Sequence, residues 1–170
     1  LDTGVGALVL FGGVQITMFA GALAMRERVP AAKWLGALIA ACSLAWFLRP
    51  APGTGIDLAG ASLMGVAALG WGIYSLLGRG ARNATAETAA NFALAAPVSL
   101  LALLAVTPHV TLPGGALAAL SGILMSGLGY ALWYAILPRL AASTAAIAQL
   151  SVPILAAIGG IVLLGEALTA

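Results

Sequence analysis

The most restrictive feature of this chain is an uncharged run: from Thr88 to Leu137 there is no Asp, Glu, Lys or Arg. A helix needs about 20 apolar residues to cross the hydrocarbon core of a bilayer, so this run is too long for one span and must turn inside itself. Thr107, Pro108 and His109, followed by Pro113, Gly114 and Gly115, supply the turn. The same poverty of charge holds throughout. Charged residues make up 7% of the chain and hydrophobic ones 62%, whereas a soluble domain carries roughly 25% charged residues. Seven basic and five acidic side chains cannot cover a water-facing surface. Lipid is the expected solvent, and an all-α polytopic bundle the expected fold.

The charges then act as punctuation. Helix A is expected over about Val5 to Met25, before the turn Arg26, Glu27, Arg28, Val29, Pro30. Helix B follows over about Ala31 to Leu48 and is short unless Lys33 snorkels to the interface. Arg49, Pro50, Pro52 and Gly53 end it. Helix C is expected at Leu58 to Gly78, D at Thr88 to Val106, E at Ala116 to Leu137 and F at Ala142 to Gly165. Barrel strands would need short alternating segments rather than apolar runs of this length.

Basic residues divide unevenly between the loops. Arg26, Arg28, Lys33, Arg79, Arg82 and Arg139 fall on the side of the A–B, C–D and E–F loops, and Arg49 on the other. The positive-inside rule places the first set in the cytoplasm of a cell-membrane protein, with His109 outside. No basic run accompanied by aromatics points to nucleic acid. One Cys and one His give no disulfide framework, no metal-ligand cluster and no nucleophile with its base, so neither cofactor nor metal is expected and an intramembrane enzyme is disfavoured. Glycines within the spans, among them Gly65, Gly70, Gly72, Gly122, Gly129 and Gly159, predict close helix packing.

Displacing the chain along itself aligns Gly21, Glu27 and Ala31 with Gly160, Glu166 and Ala170, each set closing an apolar span. Helices A and F therefore read as copies, and copies an odd number of helices apart are inverted, a recurring plan of secondary transporters. The turn Arg26 to Pro30 with Trp34 to Ile39, and Gln149 to Pro153 with Leu164 to Thr169, resemble the EamA-type transporters of the drug/metabolite transporter superfamily. That resemblance implies ten helices in two inverted five-helix repeats. Residues 1–50 would be the last two helices of the first repeat, and 51–170 the second repeat without its last helix. The chain would then be a fragment of a longer protein, continuing after Ala170 with a further span like Trp34 to Ile39.

The resemblance also implies a central cavity opening alternately to either side, and the candidates for lining it are mid-span polar and aromatic groups. Gln15, Asn91 and Gln149 are amides in apolar surroundings, each of which needs a hydrogen-bond partner. Pro153 leaves the carbonyl of Gln149 without its helical donor, as Pro97 does that of Ala93. Trp71 and Tyr74 share one helix face, and Tyr130, Trp133 and Tyr134 another. Trp71 and Tyr130 lie deeper and suit a cavity wall, whereas Trp133 and Tyr134 fit an interfacial belt. The expected solute-contacting set is Gln15, Trp71, Tyr130, Gln149 and Pro153. No acid lies in mid-span, so no side-chain proton carrier is visible; Glu27 and Glu166 suit capping or pairing with neighbours such as Arg26. The expected function is alternating-access transport, by export, of a small neutral or zwitterionic solute. The partners are that solute and the lipid bilayer, with a homodimer allowed. A membrane scaffold or sensor is the rival reading.

Overall fold

The computed structural model describes residues 3–47, 57–105 and 110–164. Arg49, His109 and Glu166, each singled out in the sequence, lie outside the described residues. The described chain is helical: α1 Thr3–Ala24, α2 Ala31–Phe47, α3 Leu58–Gly78, α4 Ala84–Ala105, α5 Leu112–Leu120, a π-helical stretch Ser121–Leu128, α6 Gly129–Ile136, a 3-10 turn Leu137–Arg139, α7 Ala142–Gln149 and α8 Ser151–Leu164. Among the described residues four helical runs are long and apolar enough to cross a membrane: Val5–Ala24, Leu58–Gly78, Ala84–Ala105 and Leu112–Arg139. Large apolar side chains cover the outside, including Trp46, Leu63, Leu94, Val98 and Leu112. A water-soluble surface does not tolerate such a continuous apolar cover. The protein is an all-α, multi-pass membrane protein.

Two of the six expected spans are shorter. α2 has 17 residues, about 25 Å of helix against a hydrocarbon core of about 30 Å. The expected helix F is divided at Leu150 into α7 and α8. Helix D begins four residues before its expected start, and a cap explains why. Asn83 Oδ1 accepts from Ala86 N at 3.0 Å, and Glu87 Oε1 accepts from Arg82 N at 3.0 Å, so two end N–H groups are satisfied before the uncharged run begins. Helix E likewise begins at Leu112, where Thr111 Oγ1 accepts from Gly114 N at 3.2 Å. Pro113 and Gly114, expected in a turn, are part of its first turn, the position a helix offers to proline. Asp57 caps α3, and its bonds from Gly60 and Ala59 hold the carboxyl below the ordinary carboxylate range.

The helices fall into two compact units, 1–77 with 140–170, and 78–139. In the first, α7 is the centre, packed chiefly on α1 and also on α2. Its sequence, Ala-Ser-Thr-Ala-Ala-Ile-Ala-Gln, is nearly all small, and Ala142, Ser143, Ala145, Ala146 and Gln149 are buried. Val14, Met18 and Ala22 of α1 are buried too, spaced one turn apart on one face. Small residues let backbones approach where lipid removes the hydrophobic drive for association. α1 meets α3 in the same way. A Cβ on Gly13 would stand 2.6 Å from Ala68 Cβ, one on Gly72 2.6 Å from Thr17 Cβ, and one on Gly21 2.3 Å from Leu76 Cδ1. Residues 13, 17 and 21 thus face 68, 72 and 76 in the same order, so α1 and α3 run parallel. Gly65, Gly70, Gly122, Gly129 and Gly159 have no such neighbour.

In the second unit α4 packs on α6. Tyr134, expected in an interfacial belt, is instead buried, its ring against Gly78. Asn91 is exposed rather than buried, because α4 turns only residues near Thr88 inward. Pro97 lies inside α4 without interrupting it. The π-helical stretch Ser121–Leu128 has no counterpart in the sequence reading, since its widened turn leaves hydropathy unchanged.

Candidate functional site

The polar interior of the first unit is built from four helices, α1, α2, α3 and α7. α7 ends at Gln149, whose side chain is 5% exposed, and Nε2 donates to Ser75 Oγ of α3 at 3.3 Å and lies 3.1 Å from Met18 Sδ of α1. Gln149 Oε1 is buried without a hydrogen-bond partner. Gln15, on the Met18 face of α1, is 8% exposed; its Nε2 donates to the carbonyl of Ala37 in α2 at 3.4 Å, and its Oε1 is likewise buried and without a partner. Each amide thus spends its donors on holding helices together and leaves an acceptor over. A buried acceptor without a donor costs roughly 1–3 kcal/mol, so both carbonyl oxygens are disposed to accept from whatever donor enters.

Trp71 lies one turn before Ser75 on α3 and faces the same way. It is half-buried, with its ring 5.7 Å from that of Phe11 in α1. Gln149 therefore meets Met18 and Ser75 directly, whereas Gln15 and Trp71 lie about one helical turn from them along α1 and α3. Tyr130 belongs to the second unit, where its ring meets Phe92 of α4 edge-on at 6.0 Å.

Pro153 is buried one turn beyond Gln149. It falls in the first turn of α8 rather than in mid-helix, because the helix already pauses at Leu150. There Leu150 N donates to the carbonyl of Ile147 at 3.1 Å and Ser151 Oγ to that of Ala148 at 2.7 Å. Proline is tolerated in a first turn, where N–H groups have no helical acceptor. It still has no N–H to offer the carbonyl of Gln149. Beside this break, Ala40, Leu44 and Trp46 of α2 and Leu150, Pro153 and Ile158 line an apolar groove of about 900 Å³.

A second polar cluster closes the end of the unit that bears the α1–α2 turn. Glu27 Oε2 accepts from Ala142 N at 2.8 Å, and its Oε1 accepts from Ser143 N at 3.4 Å and from the Ser143 hydroxyl. Lys33 Nζ donates to Ser143 Oγ at 3.1 Å and to Thr144 Oγ1 at 2.8 Å. Lys33 thus spends its ammonium on the first turn of α7, at the end of the unit. Glu27 is the cap expected at a loop end, but of α7, more than a hundred residues away. A carboxylate there meets both free N–H groups and the positive end of the helix.

The EamA-like transporter family model matches residues 58–170. The chain belongs to this family. A relative in Pseudomonas aeruginosa, the uncharacterized protein PA1977, is 47% identical over 170 residues, which is 99% of this chain and 59% of the relative. The chain therefore spans about three fifths of the length of the curated relative it matches. No solved structure matches it. The EamA-like family is a family of transporters rather than enzymes, and among the described residues no group of His, Cys, Asp and Glu could hold a metal ion.

Proposed function

We propose that this chain is part of an alternating-access transporter that exports a small neutral or zwitterionic solute across the cell membrane. Residues 1–50 and 51–170 contribute to its two repeats, and Gln15, Trp71, Gln149 and Pro153 of the first unit line the solute path. One observation carries the reading: Gln149 Oε1 is buried without a donor in the interior of the bundle. A passing solute with an N–H or O–H group satisfies that acceptor, and the apolar groove next to Leu150 and Pro153 accepts its hydrocarbon part. The absence of full charges around Gln149 among the described residues suits a solute whose net charge is zero. The bonds of Gln149 Nε2 to Ser75 and Met18 also suit a rival reading, in which the amide only holds helices together.

The two readings part in a binding experiment on the full-length protein in detergent, screened for thermal stabilisation against a panel of amino acids and metabolites. A ligand at a hundred times its Kd stabilises by about 2.7 kcal/mol. The transport reading expects a solute that raises the Tm of the wild type but not of Gln149→Ala, and labelled-solute flux in vesicles that Gln149→Ala reduces. Equal shifts for both proteins return Gln149 to packing, and no flux of any solute favours a scaffold or sensor.

A further inference from the structure

We infer that Glu27, Lys33, Ser143 and Thr144 form a gate that closes the polar interior on the side of the α1–α2 turn. The inference rests on the transport reading and concerns how the interior around Gln149 is reached.

The register of the helices places the cluster directly over that interior. Ser143 precedes Gln149 by six residues on α7, a rise of about 9 Å. On α1, Met18 lies in the last two turns before Ala24, and Glu27 follows the helix end. On α3, Ser75 lies in the turn before Gly78, and α2 starts at Ala31, two residues before Lys33. The ends of α1 and α3 and the starts of α2 and α7 therefore meet on one side, with Met18, Ser75 and Gln149 one layer deeper. Ser75 and Ser143 are fully buried and Gln149 nearly so. In the first unit the cluster thus covers the Gln149 carbonyl from this side.

Its chemistry suits a contact that opens. The bonds are polar, two of the four groups are charged, and all of them join the α1–α2 hairpin to α7 across the sequence. An apolar seam that opened would expose hydrocarbon, whereas each partner here is rehydrated at the membrane edge when the contact breaks. The backbone before Glu27 is also under tension. Arg26 has φ 56°, a left-handed conformation costing a residue with a side chain roughly 1–2 kcal/mol, and strain of this kind gathers at switching segments. Beyond the interior, the helix break at Leu150 divides α7, which carries the gate, from α8. α7 can then move with the hairpin contact while α8 stays.

The test reads accessibility from one side. Cys42 is exposed and is replaced by Ser, together with any cysteine elsewhere in the full-length protein; Ser75→Cys is the reporter, and Met18→Cys a second. A membrane-impermeant thiol reagent is applied from each face, in intact cells and in inverted vesicles. The expected result for Glu27→Ala is a labelling rate about tenfold higher from the face bearing the α1–α2 turn, with the opposite face unchanged, since a charge-assisted bond is worth about a factor of ten or more. Ser143→Ala and Glu27→Gln, which keep part of the cluster, should fall between it and the parent. They also carry the test if Glu27→Ala does not fold. Labelling unchanged in well-folded variants, or raised equally from both faces, overturns the gate. The solute panel is scored separately: one-sided opening with no solute-dependent Tm shift leaves the gate standing and removes the transport site.

Discussion

Arg26 is the residue that sets the direction of the chain as it leaves α1. Arg26 N donates to the carbonyl of Leu23 at 2.9 Å and Glu27 N to that of Ala22 at 2.8 Å, the paired bonds of a helix end that favours glycine at the left-handed position. Arg26→Gly should therefore stabilise the protein by about 1 kcal/mol, seen as a rise in Tm of the detergent-purified protein, whereas Arg26→Val should lower it. A lower Tm for the glycine variant would show that the guanidinium contributes more than the strain costs. Glu27 and Lys33 show what a sequence conceals at this scale. A carboxylate beside a turn and a lysine at a helix start announce a cap and an interface, and both roles are local. Their partners Ser143 and Thr144 are small, common in membrane helices and distant along the chain, so nothing in the local pattern pairs them. Gln15 and Gln149 were legible because an amide in an apolar span needs a partner wherever it sits. Asn91 satisfied the same argument and is exposed, since hydropathy in a uniformly apolar helix does not say which face turns inward.

At the scale of the element, the crossing of α1 and α3 gives a graded prediction. A methyl on Gly72 collides with Thr17 Cβ and one on Gly13 with Ala68 Cβ, atoms fixed to the backbone, while one on Gly21 meets the end of the Leu76 side chain, which can rotate away. Gly72→Ala and Gly13→Ala should each destabilise by about 1–3 kcal/mol, and Gly21→Ala by clearly less. Gly65→Ala, with open space around it, should be neutral or stabilising, because alanine is the better helix former. Unfolding followed by Tm across the four variants checks the order; equal effects would mean that the crossing relaxes at little cost. Composition alone treats these glycines alike, and only the register of the two helices separates them. The ends of α3 were legible because charge and helix end coincide there. They part at α4 and α5, where caps at Asn83 and Thr111 start the helix in the polar region ahead of the apolar run. The break at Leu150 was foreshadowed by Pro153 but falls three residues earlier, because proline is accommodated at the start of the new helix.

At the scale of the whole molecule, orientation follows from the distribution of charge and decides which face of the membrane the proposed gate closes. Arg26, Arg28, Arg79, Arg82 and Arg139 lie at helix ends that the alternation of spans assigns to one side, and Thr111 at an end assigned to the other. Basic residues are retained in the cytoplasm during insertion, so the proposed gate of Glu27 and Lys33 is expected to face the cytoplasm. In a full-length protein freed of its native cysteines, Cys42 among them, single cysteines at Arg28, Arg82 and Thr111 report this directly. An impermeant thiol reagent added to intact cells should label Thr111→Cys and leave Arg28→Cys and Arg82→Cys unlabelled until the cells are opened. The reverse pattern would turn the molecule over and make the same cluster an external gate, with export then requiring the solute to enter past Leu150 and Pro153. Labelling of Arg28→Cys and Arg82→Cys from opposite faces would break the alternation itself. In that case α2 or α3 does not cross the membrane, and of these two α2, whose uninterrupted helix is the shorter, is the one whose length permits it.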